Sequence, residues 1–245
     1  MNARAKHIFA FTVSFLLSTV LISCSANPIL SVSHFQDATT LEPGESKYFI
    51  SFEEALYFQA YVNDHTTNDF TRKPYILTPN YHLGLAPRFE LGVQVLPITF
   101  TSYGGNIYLK FSDSLSSLSS FGVVLLAGMS EANGDDNQPY VFLSERRVTT
   151  AKVYNFSIMF PYTLAGKLIT LTLAPSIGNY QTYFEEIQDP NHHITSNYLA
   201  PSLSTDVSFM LPLDGFITLE FSTIKIENAL FGFYGVGLGK KGFTF

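Results

Sequence analysis

The 245-residue chain has no tryptophan, one cysteine and few charges. Each scarcity excludes something. A lone cysteine, Cys24, cannot close an internal disulfide, so a disulfide-stapled scaffold is ruled out. Charged residues make up 14% of the chain, against roughly 25% in an ordinary soluble domain, so polar surface is in short supply. The 14 Lys and Arg residues form no cluster and the net charge is −6, which excludes nucleic acid as a partner. HExxH, GxSxG and GxGxxG are all missing. Gly235, Gly237 and Gly239 alternate along a terminal strand with no helix behind them, so they make no phosphate cradle. His192 and His193, with Glu185, Glu186 and Asp189, read as a solvated loop, because adjacent histidines do not converge on one ion. Glu131, Asn133, Asp135 and Asp136 depart from calcium-loop spacing and read as a polar turn. His82, near Asn80 and Tyr81, reads as a hydrogen-bonding residue of an interior or a rim. No catalytic residue, metal or cofactor is assigned, and the expectation is a protein that is not an enzyme, a membrane-embedded lipid-modifying enzyme being the remaining alternative.

What is present begins at the amino terminus. Arg4 and Lys6 precede an apolar run over residues 8–22, the charged-then-apolar order of a secretory signal peptide, too short to span a membrane comfortably. The run ends in Leu21-Ile22-Ser23-Cys24, which resembles the bacterial lipobox, whose cysteine becomes the first mature residue and carries acyl chains such as palmitate. Cleavage after Ala26 is the other way to read these small residues. The expected division is a signal peptide over 1–23, a tether over 24–42 without periodicity, and one domain over 43–245.

Strand-length runs follow at 47–52, 74–85, 88–96, 104–112, 117–129, 152–160, 168–174, 206–213, 215–226 and 229–239, with an ambiguous stretch at 55–62 and a further candidate at 139–146. Residues 63–73 read as a polar connection and 178–197 as the longest interruption. Within the runs, side chains alternate. Phe89, Leu91, Val93 and Val95 share one face while Arg88, Glu90, Gly92 and Gln94 share the other. The split recurs for Ile107, Leu109 and Phe111 against Asn106, Tyr108 and Lys110, and for Ile217, Leu219 and Phe221 against Thr218, Glu220 and Ser222.

Alternation alone leaves two architectures open. A lipid-anchored soluble sandwich or lipocalin-like barrel, binding an apolar ligand, turns the apolar face inward. A barrel in lipid turns it outward and lines its interior with the polar face. The low charge, the 23 Phe and 14 Tyr residues able to form interfacial girdles, and small residues such as Gly92 and Gly122 favour the second. The expected fold is therefore all-β: a single antiparallel closed β-barrel of 8 to 12 strands, ten favoured, embedded in a membrane. Arg88, Glu90, Lys110 and Glu220 are the candidate interior charges, cations meeting carboxylates across neighbouring strands in a lumen plugged by side chains.

The stretch PYILTPNYHLGLAPRFELGVQVLPITF over residues 74–100, followed by GGNIYLKFSDS over 104–114, resembles the small outer-membrane β-barrel proteins of Gram-negative bacteria. Phe243 and the final Phe245 resemble the terminal aromatic signal of that class. The resemblance implies an outer-membrane location with a lipid anchor at Cys24, outer-membrane lipid and the barrel-assembly machinery as partners, and a structural, narrow-passage or binding role. It implies no catalytic residue, and any small-molecule ligand is unknown.

Overall fold

The computed structural model describes residues 29–32, 34–61, 67–96, 102–133, 148–186 and 193–244. Among these residues twelve strands form in chain order: β1 (Ile29–Ser31), β2 (Glu45–Tyr61), β3 (Thr67–Ala86), β4 (Phe89–Leu96), β5 (Ser102–Ser116), β6 (Ser119–Asn133), β7 (Val148–Met159), β8 (Tyr162–Ala165), β9 (Ile169–Glu186), β10 (His193–Met210), β11 (Gly215–Ile226) and β12 (Ala229–Thr244). Every pairing is antiparallel, and β2 bonds both β3 and β12, which closes the sheet on itself. β8 continues β7 past Pro161, since both pair with β6 and β9. Proline has no N–H to donate, so the strand breaks there and resumes. With β1 lying inside, the wall is a ten-stranded closed barrel.

Several strands outrun their sequence signal. β3 starts at Thr67, inside the expected polar connection, and β9 and β10 extend to Glu186 and back from His193 across most of the expected interruption. In the β9 extension the outward residues Asn179 and Gln181 are polar while the inward ones include Tyr180, Thr182 and Phe184, so the apolar-out alternation vanishes although the ladder continues. The ambiguous stretch at 55–61 is strand. The candidate at 139–146, the signal region over 1–23 and Cys24 lie outside the described residues.

The two ends of the barrel differ. At one end, where Glu45 pairs with Thr244, the connections are two to four residues long, after Ala86, Ser116, Ala165 and Met210. At the other end, connections of five, five, fourteen and six residues follow Tyr61, Leu96, Asn133 and Glu186, with a two-residue turn after Ile226. We refer to the turn end and the loop end.

The faces answer the question that alternation left open. Ile107, Leu109 and Phe111 on β5, Phe156 on β7, Leu171 and Leu173 on β9, and Leu219 and Phe221 on β11 are all exposed on the outer surface. Their strand neighbours Asn106, Tyr108, Lys110, Asn155, Thr172, Thr218 and Glu220 are buried inside. On β6 the outward residues Phe121, Val123, Leu125, Ala127 and Met129 form an apolar span, with Glu131 next in line. At about 3.3 Å per residue the nine positions cover roughly 26 Å along the strand. Glu131 is joined to Lys152 of β7 at 3.3 Å, so an ion pair marks the loop-end limit of this belt. Lys240 and the exposed Arg88–Asp113 pair mark the turn-end limit.

Candidate functional site

The interior is not lined by the wall alone. The part of the expected tether that the structure describes does not hang outside the barrel but passes through it. Val32, His34, Phe35, Gln36, Ala38 and Leu41 are all buried. They are not in a sheet, so their backbone groups need other partners, and wall side chains supply them. Glu220 of β11 accepts the N–H of His34 at 3.1 Å and of Phe35 at 2.6 Å. Thr163 of β8 accepts from Ala38 at 2.7 Å, and Glu90 of β4 accepts from Leu41 at 3.0 Å. Glu42 then rests its carbonyl on Gly84 of β3, where a Cβ would collide with it, and Gly44, at φ 81°, turns the chain into β2. Only glycine permits that approach at Gly84 and adopts that φ freely.

An ionic network fastens the segment near the turn end. Glu90 and Lys110 are register partners on β4 and β5, and their charged atoms lie 2.9 Å apart. His82 of β3 places Nδ1 2.7 Å from the same Glu90 carboxylate, with its ring stacked between Phe49 and Tyr108. The ring also covers Gly92, where a Cβ would sit 2.8 Å from it. Lys110 reaches Asp37 of the internal segment at 3.4 Å, and Lys47 of β2 reaches it at 3.6 Å. The Lys47 ammonium additionally lies over the Phe49 and Phe216 rings, at 5.1 and 4.9 Å from their centroids. Asp37 is thus held between ammonium groups from two different strands, while His34, on the same segment, is buried with its ring edge-on to Tyr108.

Above this network is a layer of neutral hydrogen bonds around one carboxylate. Glu53 of β2 accepts from Thr78 at 2.6 Å, from Ser31 of β1 at 3.0 Å and from Gln94 at 3.3 Å. Gln94 in turn accepts from Asn106 at 2.6 Å and Tyr108 at 2.7 Å. Closer still to the loop end the interior becomes apolar, with Val32 of the internal segment packed among Leu56, Val153, Tyr180, Phe184, Ile224 and Phe233. The lumen is thus filled by ions, then amides and hydroxyls, then hydrocarbon.

Three of the four expected interior charges, Glu90, Lys110 and Glu220, are buried inside the barrel. Arg88 is not. It occupies the turn before β4 at φ 68°, which swings its side chain to the outer surface, where it meets Asp113 at 3.2 Å with both partners exposed. Glu220 faces not a cation across the ladder but Asp206 of β10, and its charge is met instead by the two backbone N–H groups of the internal segment. Among the described residues, Asp37, Lys47, Glu53 and Asp206 are further interior charges that were not expected, while His82 is the hydrogen-bonding interior residue its sequence reading made it. Among the described residues no group of His, Cys, Asp and Glu is arranged to hold a metal.

No protein-family model matches the sequence, and no characterised protein matches it at the sequence level. Solved structures with a similar arrangement include the following three. The attachment invasion locus protein Ail of Yersinia pestis matches at TM-score 0.43 and 9% identity, over 81% of this chain and 99% of that one. The outer membrane protease OmpT of Escherichia coli matches at TM-score 0.41 and 12% identity, over 93% and 100%. The KdgM porin, solved with disordered oligogalacturonate, matches at TM-score 0.35 and 11% identity, over 80% and 98%. At these scores neither the activities nor the ligands of those proteins carry over to this chain.

Proposed function

We propose that the protein is an outer-membrane β-barrel of a Gram-negative bacterium whose lumen is closed by its own amino-terminal segment, and that it acts as a membrane-embedded structural or binding component without enzymatic activity. The observation that supports this most is the inversion of its faces. Ile107, Phe111 and Phe156 are each more than half exposed, while Glu53, Glu90, Lys110 and Glu220 are 0 to 3% exposed. In water this would leave an apolar surface far beyond the few hundred Å² that soluble monomers tolerate. In hydrocarbon it is the stable arrangement, because closing the sheet pairs wall N–H and C=O groups strand to strand. The apolar span of β6, nine strand positions with five outward residues, fits the 9–11 positions that a tilted strand needs to cross.

The packed lumen favours a plug over a passage. Asp37 is bonded to two lysines from different strands, and the segment's backbone is bonded to β4, β8 and β11, so an ion crossing the barrel would have to displace it. Lipidation at Cys24 is a second anchor on this reading, carried by the sequence of the signal region alone. The test is membrane extraction with alkaline carbonate. A Cys24→Ala protein is expected to remain in the membrane pellet and to migrate differently on a gel before and after boiling. Its release into the soluble fraction would sink the proposal. In planar bilayers the purified barrel is expected to show no steady porin-sized conductance.

A further inference from the structure

The barrel wall has an incomplete seam. The β12–β2 ladder runs from Thr244↔Glu45 to Gly235↔Glu53 and stops there, although β2 continues to Tyr61 and β12 begins at Ala229. Along its other edge β2 stays paired with β3 as far as Tyr61↔Thr67. An unpaired edge is costly in hydrocarbon. Strand β1 takes the vacated edge: Ile29 pairs with Tyr57, Leu30 with Leu56 and Ser31 with Ala55. Ser31 also donates to Glu53 and accepts from Gln94 of β4 at 3.2 Å, so β1 faces the lumen while it completes the seam.

The direction of β1 has a topological consequence. β2 rises from the turn end toward the loop end, and β1 is antiparallel to it, so the chain enters from the loop end and descends. Its contacts keep that order: Val32 in the apolar layer, His34 and Phe35 at Glu220, Asp37 between Lys47 and Lys110, Leu41 at Glu90, and Gly44 at the turn-end bend. We propose that the chain is threaded through its own barrel, so that the residues before Ile29 are presented on the same face as the long loops. If the barrel stands in the outer membrane with its short turns in the periplasm, that face is the outside of the cell. This inference rests on the membrane reading above for its compartment, but not for its topology.

The placement says what could be displayed there. Ile29 is level with Tyr57, four residues below the end of β2, or roughly 13 Å at about 3.3 Å per residue. Cys24 precedes Ile29 by five residues, a reach of roughly 17 Å when extended. An acyl group on Cys24 would therefore meet the outer leaflet at the loop-end rim rather than the leaflet beside the turns. Threading also implies an order of events: the amino-terminal segment enters before β12 and β2 close the wall, since the tight turn at Gly44 ties it to β2 and its backbone is bonded to β4, β8 and β11 within the closed sheet.

The experiment places one epitope tag in each of three full-length proteins: between Asn27 and Pro28, within the connection after Asn133, and between Ser117 and Leu118 at the turn end. Antibody binding is compared on intact and permeabilised cells, with heat-modifiable migration confirming that each protein has folded. The amino-terminal tag is expected to follow the loop tag, staining intact cells at least tenfold above the turn tag. If it follows the turn tag, threading is overturned. If the loop tag is shielded on intact cells and the turn tag is not, the orientation in the membrane is wrong, while agreement between amino-terminal and loop tags still supports threading. A second variant is independent of tags: Ser31→Cys with Ala55→Cys, in a Cys24→Ala background, joins register partners across β1 and β2. Oxidation is expected to consume both thiols as an intramolecular disulfide, and two free thiols in the folded barrel would refute the pairing.

Discussion

Arg88 and Glu90 are separated by one residue, and both are paired with a charge of opposite sign, yet their removal should have very different consequences. Arg88 meets Asp113 with side chains 60% and 49% exposed, and such a surface pair contributes about 0–1 kcal/mol. Glu90 is 1% exposed and receives three donors, from His82, Lys110 and the Leu41 N–H. Glu90→Gln keeps the shape but withdraws the charge, leaving Lys110 with Asp37 at 3.4 Å as its remaining anion. Removing one member of a buried pair costs roughly 3–5 kcal/mol, and the surviving Asp37 contact puts this case at the lower end, about 3 kcal/mol. That is roughly a hundredfold in the folding equilibrium. Withdrawing the cation as well, in Glu90→Gln with Lys110→Met, should cost less than the single change, because no uncompensated ammonium stays buried. The chain has no tryptophan, so unfolding in urea would be followed in detergent micelles by gel migration without boiling rather than by indole fluorescence. Equal destabilisation by Arg88→Ala and Glu90→Gln, or a double variant less stable than Glu90→Gln alone, would contradict this difference.

Other consequences can be measured with the same purified barrel. Leu125→Arg places a cation in the middle of the outward apolar span of β6 and should cost about 2–4 kcal/mol in a bilayer, whereas Leu118→Arg, in a turn-end connection, should cost within about 1 kcal/mol. Gly92→Ala pushes a Cβ to 2.8 Å from the His82 ring and should cost about 1–3 kcal/mol, read from the urea midpoint. Deleting residues 29–41 should convert a silent barrel into one that conducts in planar bilayers or abolish folding, whereas a folded and silent product would contradict the plug.

The parts of the fold that could be read from sequence are those where one face meets hydrocarbon and the other meets the lumen. β4, β5, β7 and β11 alternate because each wall position has only those two environments. Beyond the belt the outside is polar while the interior is apolar, with Tyr180 and Phe184 of β9 and Tyr198 of β10 in its core, so the strand ends of β9 and β10 lose the apolar-out pattern. Arg88 was misplaced because alternation was carried one residue past the strand, into a turn where the backbone changes hand. The internal segment could not be found by strand periodicity, since it is enclosed on all sides and bonded to side chains rather than to a ladder. A weaker signal was there: Val32, Phe35, Ala38 and Leu41 recur every third residue, and all are buried. The carboxylates that hold its backbone, Glu220 and Glu90, show in the sequence only as polar residues on the inner face.

The most direct measurement of the orientation of the wall is spin labelling in lipid vesicles. Single cysteines would replace Leu109, Phe156 and Leu219 on the outer face and Ser112, Ser157 and Ser222 on the inner face, each in a Cys24→Ala background. The outer three are expected to collide preferentially with dissolved oxygen, which concentrates in hydrocarbon, and the inner three to be shielded from it. Labels at Leu109, Phe156 and Leu219 that respond instead to a water-soluble nickel complex would contradict an apolar face turned toward lipid.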